Sequence, residues 1–308
     1  MGFCVLPSAA AGERRVRISY LQDGLHHLPL WVALEKGFFK NNGVEVTVAG
    51  VFRAGPETMS AFSAGSLDMA YVGIAPVITA VANKAAQVKV VAGVNTDGSA
   101  ILVAPTSSIR GVPNLHGKRV AIPGVSTVQD FLLRKALADN GLGPDDLETI
   151  VLKPPEMLGA LQTGQLDACI AWEPFPSNAI ISGTGRVLVT SKQIWPNHPC
   201  CVLIADTRFA DHHSDEIKAV VAAHLEGIEF IKNNPKEVIR IAVKYTGMDE
   251  KTIGLALDNV TFSSSLNAAG IRVYVRLLSE SGYSHVDDPS SFVEGLLEPK
   301  WLGELKIK

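Results

Sequence analysis

Two stretches of the chain, residues 61–68 (AFSAGSLD) and residues 160–167 (ALQTGQLD), carry the same pattern about a hundred positions apart. In each, a helical stretch runs to a glycine and is followed by Leu-Asp, an apolar run and a proline, Pro76 or Pro174. Solenoid units repeat over roughly 20–50 residues, so a period this long is not that of a solenoid. The repeat therefore predicts two similar lobes.

The segments around each copy of the repeat alternate between short β-branched runs and amphipathic stretches. Around the first copy we predict strands at 16–20, 44–48 and 67–72 and helices at 28–40 and 56–63. Around the second copy we predict strands at 119–122, 147–152 and 166–171 and helices at 127–138 and 156–162. Such alternation is typical of α/β folds with parallel strands, so each lobe is predicted to be Rossmann-like.

Apolar strand-like runs between and after the two halves lie at 88–92, 100–104 and 201–205. Two crossings of this kind would let the chain leave one lobe, build the other and return, which predicts a two-strand hinge. We expect lobe 1 to comprise residues 14–98 and 206–308, with a series of helices after residue 214, and lobe 2 to comprise residues 99–205.

Composition excludes some classes of function. Of the 308 residues, 47% are hydrophobic and 19% are charged, enough for two packed cores. The net charge of -3 and the absence of a basic block argue against nucleic acid as a partner, because phosphate binding needs clustered Lys and Arg. No apolar run approaches the ~20 residues that cross a bilayer.

The first residues differ from the rest of the chain. An apolar run at 3–7 is followed by small residues, and Ala9 and Ala11 fit a signal-peptidase site. We expect residues 1–13 to be the remnant of a secretory signal that starts upstream, and the protein to be periplasmic or otherwise extracytoplasmic. An ordinary N-terminus is the alternative.

A ligand site is expected where strands of the two lobes end. Ligands of open parallel sheets bind beyond the carboxyl ends of the strands, where helix N-termini offer unpaired N–H groups. The loops at these ends are residues 23–27, 53–56 and 73–75 in one lobe and residues 124–127, 153–156 and 172–174 in the other. Facing loops predict a cleft between the lobes.

Particular side chains in these loops are candidates for ligand contact. Trp172, just past a buried strand, offers a flat rigid surface, and Glu173 beside it offers a charge, although Trp172 could instead be core. Ser126 and Thr127 precede a helix, so they are N-cap candidates that also border the cleft. Arg53 is a candidate anion clamp or an ordinary surface residue.

Metal and catalytic chemistry are poorly supported by the residue pattern. His26 and His27 are adjacent and would point apart on an extended segment, so we predict a hydrogen bond from His27 or a packing role, and no metal site. No zinc or redox spacing of cysteines occurs, and buried cysteines are expected to act as small hydrophobic residues.

Enzyme motifs are absent from the sequence: it contains no GxGxxG after a strand, no P-loop, no GxSxG and no HExxH. Cys200 with His198 could form a nucleophile pair, but nothing marks a third orienting group. We therefore predict a protein that is not an enzyme and that carries no cofactor.

A resemblance to a known family lies in residues 28–39 (LPLWVALEKGFF), in 65–68 with Gly73, and in 164–167 with 172–174, within residues 16–245. In these segments the chain resembles the nitrate/sulfonate/taurine and thiamine-precursor substrate-binding proteins (NMT1-like) of ABC transporters. It implies a type II periplasmic-binding fold, hinge closure on a small molecule, and an ABC permease and ATPase as partners. It also implies that the cleft is lined by His27, Gly73, Ser126, Thr127, Trp172 and Glu173.

Arg53 and Asn95, the latter in a crossing segment, complete the candidate ligand-binding residues. The ligand is left open among sulfonate, nitrate, pyrimidine-type and carboxylate molecules. Glu173 would disfavour an anion nearby and would suit a ligand with N–H donors. We expect a monomer. An enzyme of cofactor biosynthesis on the same bilobed fold is the main alternative, and the ligand-sensing module of a regulator or receptor is another.

Overall fold

The computed structural model describes residues 15–305, and within this range the chain forms two β-sheets flanked by helices. Its strands in chain order are β1 Val16–Leu21, β2 Val46–Phe52, β3 Met69–Gly73, β4 Val88–Asp97, β5 Ser99–Val103, β6 Arg119–Ile122, β7 Glu148–Val151, β8 Ala168–Trp172, β9 Arg186–Thr190, β10 Pro199–Asp206 and β11 Val260–Phe262. The predicted signal remnant lies outside the described residues. The predicted α/β class is confirmed.

The helices pack on these two sheets. In chain order they are α1 Leu28–Glu35, α2 Phe38–Asn41, α3 Gly55–Ser63, α4 Ile74–Ala82, α5 Val128–Ala138, α6 Pro154–Gln162, α7 Phe175–Ile181, α8 Ser191–Ile194, α9 Thr207–His212, α10 Ser214–Asn233, α11 Pro235–Thr246, α12 Glu250–Asp258, α13 Ala268–Glu280, α14 Pro289–Leu296 and α15 Lys300–Glu304. Among residues 15–305, no helix combines the length and apolar character that a membrane crossing needs.

Five strands of the first sheet and the five strands of the second are arranged in the same way, and the first sheet has β11 in addition. The first sheet has the order β11-β4-β10-β3-β1-β2 and the second has the order β7-β6-β8-β5-β9. In the first, β1 is parallel to β2 and β3, and in the second, β6 is parallel to β7 and β8. Each sheet then adds antiparallel strands beyond β3 or β8. We call the units built on the two sheets the first and second lobes; the residue boundaries expected from the sequence stay a prediction.

The repeat is held in both lobes by one arrangement of arginine, aspartate and glycine. Arg17 at the start of β1 donates to the Asp68 carboxylate from its backbone N (2.8 Å) and from its guanidinium, and also to the Gly65 carbonyl. Arg119 at the start of β6 donates in the same way to Asp167 and to the Gly164 carbonyl.

The glycines of the repeat are required by the turn that each one makes. Gly65 and Gly164 have φ of 68° and 71°, a left-handed conformation that ends α3 and α6. The turn brings each aspartate next to the start of the strand that carries its arginine partner. The two arginines lie outside the repeated segments, and their equivalent positions were not noticed from the sequence.

Some predicted elements differ from the observed ones. The helix predicted at 28–40 is two helices, α1 and α2, because Gly37 has φ of 69° and breaks the ladder of hydrogen bonds between them. The third strand of each repeat begins two residues later than predicted, at Met69 and Ala168. The helices α4 and α7 and the strand β9 were not predicted, because hydrophobic periodicity is weak in such short apolar segments.

The chain crosses between the lobes at two adjacent points. The first crossing, between β4 and β5, has left-handed residues at Asp97 (φ 62°) and Gly98 (φ 83°), and the second has one at Asn197 (φ 57°). The backbone N of Asn197 donates to the Asp97 carboxylate at 3.0 Å. The two crossings are therefore tied together, as a hinge requires.

We predict that Asp68→Asn costs more stability than Asp167→Asn, although the two aspartates make matching contacts. The Asp68 side chain is 3% exposed and that of Asp167 is 31% exposed. Water can therefore replace the interactions lost at Asp167 more readily than those lost at Asp68. We expect Asp68→Asn to lower the free energy of unfolding by about 2 kcal/mol. Urea unfolding of both variants tests this, and an equal or larger loss for Asp167→Asn would contradict it.

Candidate functional site

A small cavity lies between the lobes at the carboxyl ends of β1, β3 and β8. The loop after β1, the end of β3 and the start of β10 border it from the first lobe, and the start of α5 and the end of β8 border it from the second. Its volume is about 20 Å³, room for roughly one water molecule. This is the position at which doubly wound sheets bind ligands, because the connections from neighbouring strands diverge there.

Four of the predicted site residues line this cavity: His27, Gly73, Thr127 and Trp172. Gly73 ends β3 beside the second lobe. A Cβ on Gly73 would lie 3.1 Å from the Val128 side chain. Thr127 is the N-cap of α5, and its hydroxyl oxygen accepts a hydrogen bond from Asp130 N at 3.2 Å.

Two of these residues present nitrogen atoms without a hydrogen-bond partner among residues 15–305. They are Trp172 Nε1 and His27 Nδ1, and both side chains are at least 96% buried. Burial, followed by the charge of neighbouring His26, lowers the pKa of His27 to about 3, so its imidazole is neutral at ordinary pH. An unsatisfied buried donor is costly, so the cavity is suited to a group that accepts hydrogen bonds.

Glu173, also predicted as a cleft residue, is not among the residues that line this cavity. Its carboxylate accepts hydrogen bonds from Asn259 Nδ2 at 2.8 Å and from Ser177 N at 3.2 Å. Asn259 follows α12, far along the chain, so only the tertiary structure brings this partner to it. Burial raises the pKa of Glu173 to about 7, against the lowering effect of these hydrogen bonds.

Ser126 and Asn95 also lie apart from the small cavity. Ser126 has φ of 62°, bonds through its hydroxyl to Thr79, and lines a separate, more open cavity of about 420 Å³ beside α3 and α4. Asn95 lies within β4, where its side-chain oxygen accepts a hydrogen bond from Cys201 N at 3.2 Å. Its observed contacts are therefore those of a residue that joins β4 to β10.

Arg53 pairs with Glu156 of the second lobe. A second ion pair crosses the cleft in the opposite sense, from Lys153 Nζ of the second lobe to Glu57 at 3.0 Å. In the first lobe Arg53 precedes α3, which carries Glu57, and in the second lobe Lys153 precedes α6, which carries Glu156. The two lobes therefore contribute equivalent pairs of charges. We call these four residues the charge clasp. Arg53 and Glu156 are partly exposed at the cleft mouth, which leaves Arg53 engaged with protein rather than directed into the small cavity.

Sequence reasoning missed a cluster of His26, Cys200 and Cys201 on the cavity wall. His26 Nδ1 lies 3.4 Å from Cys200 Sγ and 3.8 Å from Cys201 Sγ. Adjacent side chains of a regular strand point to opposite faces, but the pairing of β10 with β4 shifts register on both sides of Cys201. This β-bulge re-aims the side chains, so both sulfurs reach the same imidazole.

The cluster has strongly perturbed ionisation. The hydrogen bond from the Cys201 thiol, and then the charge of nearby His26, hold the pKa of Cys200 well below its ordinary value despite burial. The same hydrogen bond and burial raise the pKa of Cys201. His198, considered from the sequence as a partner of Cys200, has its Nδ1 3.3 Å from the Tyr274 hydroxyl, and the imidazole in contact with the Cys200 sulfur is that of His26.

The pKa of Glu173 predicts a pH dependence of stability. Its folded pKa of about 7 exceeds the ordinary 4.5, so between these values the unfolded chain releases a proton that the folded chain keeps. The free energy of unfolding should therefore fall as pH rises through this window, by about 3 kcal/mol. This decrease should be absent in Glu173→Gln. Urea unfolding at pH 5 and pH 8 measures the free energy of unfolding of both proteins.

The matched control is Glu294→Gln, because Glu294 is an exposed glutamate on α14. It should keep the pH dependence of the unsubstituted protein. Equal pH dependence in Glu173→Gln and the unsubstituted protein would contradict the assignment to Glu173.

Comparison with known proteins identifies relatives of this chain. The family model described as the NMT1-like family matches residues 9–246. A protein of Escherichia coli K12 described as an aliphatic sulfonates-binding protein is 31% identical over 209 residues, which is 68% of this chain and 65% of that protein. A protein of Bacillus subtilis strain 168 with the same description is 30% identical over 239 residues, 75% of this chain and 70% of that protein.

A solved structure has the same fold. The alkanesulfonate-binding protein SsuA from Xanthomonas axonopodis pv. citri, bound to MOPS, superposes with a TM-score of 0.82 at 21% identity, covering 94% of this chain and all of that one. The predicted periplasmic-binding fold is thereby confirmed. Because the family model covers more than half of the sequence and both relatives are at least 30% identical, this chain belongs to the NMT1-like family.

Proposed function

We propose that this protein is an extracytoplasmic solute-binding protein that captures a small sulfonate or related oxyanion between its lobes and delivers it to an ABC importer. The observation that carries the proposal is the buried, unpartnered indole N–H of Trp172, a residue that lines the interlobe cavity. An indole nitrogen can only donate, so its natural partner is a ligand atom that only accepts. Sulfonate and nitrate oxygens are of that kind.

The lack of carboxylates in the described part of the cavity lining and the helix N-termini beside it also suit an oxyanion. Among the described residues that line it, none is aspartate or glutamate, and both of its histidine side chains belong to the first lobe. The helices α4 and α5 begin beside it at Gly73 and Thr127, and their N-terminal N–H groups carry partial positive charge. Glu173, which suggested a ligand with N–H donors, is held by Asn259 and Ser177 instead.

Closure of the lobes supplies the remaining part of the proposed mechanism. A cavity with room for about one water corresponds to closed lobes, and a ligand must enter while the lobes are apart. The tied crossings at Asp97 and Asn197 are the proposed hinge. The charge clasp lies across the cleft and would favour the closed state, with modest energy because its side chains are partly exposed.

Similarity to known proteins supports the proposed transport role and location. Relatives described as sulfonate-binding proteins support transport rather than catalysis, an extracytoplasmic location and delivery to a permease with its ATPase. The biosynthetic enzyme considered from the sequence is less favoured, since the two relatives compared above are described as sulfonate-binding proteins. The protein is expected to act as a monomer.

We predict that Trp172→Phe weakens the binding of ethanesulfonate about 10- to 100-fold. Phenylalanine keeps an aromatic wall but removes the N–H, and a hydrogen bond to a charged group contributes about 1.5–3 kcal/mol. Isothermal titration calorimetry of the unsubstituted protein and the variant measures the two dissociation constants.

Trp31→Phe is the control, because Trp31 Nε1 is also buried and without a partner in the described part of the chain, yet Trp31 lies in α1 away from the cavity wall. It should bind ethanesulfonate like the unsubstituted protein. The same titration with nitrate, a carboxylate and a pyrimidine tests the ligand class. Binding of the pyrimidine without binding of any of the three anions would overturn the oxyanion proposal.

We predict that Lys153→Gln raises the dissociation constant of the cleft ligand about two- to fivefold at low salt. The change removes one ion pair of the charge clasp, and partly exposed pairs of this kind contribute up to about 1 kcal/mol. The effect should shrink in 1 M salt, where charges are screened within about 3 Å. Titration calorimetry at the two salt concentrations measures it.

Lys135→Gln provides the comparison. Lys135 pairs with Asp139 at 2.9 Å at the C-terminal end of α5 in the second lobe, so this change removes no ion pair between the lobes. An equal loss of affinity in Lys135→Gln and Lys153→Gln would rule out a role for the charge clasp in closure.

A further inference from the structure

The cluster of His26, Cys200 and Cys201 has the composition and geometry of a metal site. The ligand atoms of these three residues all lie within 4.8 Å of one another, and each residue is at least 95% buried. The three residues come from distant parts of the chain, so this arrangement is a product of the fold. We propose that His26, Cys200 and Cys201 bind a thiophilic metal ion, Zn²⁺, on the wall of the interlobe cavity.

The distances between ligand atoms fit a zinc ion. With Zn–S bonds of about 2.3 Å and Zn–N bonds of about 2.0–2.1 Å, a tetrahedral ion separates its sulfur and nitrogen ligands by about 3.5 Å. The separations from His26 Nδ1 to the two sulfurs are 3.4 and 3.8 Å. An ion placed between the three atoms therefore requires only small movements of side chains.

The imidazole of His26 is already oriented as a ligand. Its Nε2 lies 2.9 Å from the Gly98 carbonyl, so Nε2 carries a proton and donates it to that oxygen. Nδ1, which faces the two sulfurs, is then the nitrogen available to a metal. Metal-binding histidines characteristically donate their other N–H to a carboxylate or a backbone carbonyl, which holds the ring in place.

Charge and coordination number favour zinc over other ions. Two thiolates neutralise Zn²⁺, so the bound complex would carry no net charge in a buried place, whereas Cu⁺ would leave a net negative charge there. Two cysteines and a histidine leave one tetrahedral position open, as in zinc sites that keep a water or a substrate in the fourth position. All three residues line the cavity, which has room for about one water molecule.

The site is independent of closure and of the proposed ligand class. His26 follows β1, and Cys200 and Cys201 begin β10, so all three residues are attached to the first sheet. Metal binding would not need the second lobe to move. The site can therefore be tested without knowledge of the cleft ligand.

The test uses the full chain, reduced and stripped of metal, titrated with Zn²⁺ in competition with a chromophoric chelator. We expect one tightly bound equivalent, and the Co²⁺-substituted protein should show thiolate-to-metal charge-transfer absorption. Cys200→Ser and Cys201→Ser should each weaken zinc binding at least about 100-fold. Cys169→Ser is the matched control, because Cys169 is a buried free thiol on β8 outside the cluster, and it should bind zinc like the unsubstituted protein.

X-ray absorption at the zinc edge of the unsubstituted protein keeps the proposal testable if a serine variant fails to fold. It should show two sulfur atoms in the first coordination shell. A shell without sulfur, no stoichiometric zinc binding, undiminished binding in both serine variants, or binding of Cu⁺ without Zn²⁺ would overturn the proposal. Conversion of the two thiols to a disulfide in a protein that takes up no zinc would also overturn it and would identify a redox pair.

Discussion

The Gly98 carbonyl lies where the chain passes from the first sheet to the second, and it accepts two hydrogen bonds that join the lobes' site loops. One comes from His26 Nε2 at 2.9 Å and the other from Glu173 N at 2.8 Å. Gly98 has φ of 83°, and a Cβ there would lie 2.5 Å from His26 Nε2. A side chain at this position would be strained and would displace the imidazole, so the crossing requires glycine.

This crossing sets the relation between two units that have the same internal design. In each lobe an arginine at the start of β1 or β6 holds the aspartate of the repeat, and the glycine three residues before that aspartate ends the preceding helix. The strand ends of both lobes then face one cavity. The charge clasp follows from the same design, because each lobe places a cation and an anion at equivalent positions around the cleft.

The cavity presents different chemistry on its two sides. The second lobe supplies the indole N–H of Trp172 and the N-terminus of α5, which suit the acceptor oxygens of a small anion. The first lobe supplies an imidazole and two thiols in mutual contact. The chemistry of both sides depends on burial. A hydrogen-bond donor or a thiolate that is buried without a partner raises the free energy of the protein, so binding of a matching group is favoured.

Sequence alone was sufficient for the duplicated α/β architecture, because helical and strand periods and turn glycines are local properties of the chain. Residues 61–68 and 160–167 predicted both lobes, and the cavity-lining places of His27, Gly73, Thr127 and Trp172 followed from where strands end. Only the tertiary structure decided the partner of Glu173, the pairing of Arg53 with Glu156, and the β-bulge that turns both Cys200 and Cys201 toward His26. Those contacts join residues between 86 and 175 positions apart, and no local pattern records which distant groups meet in the folded chain.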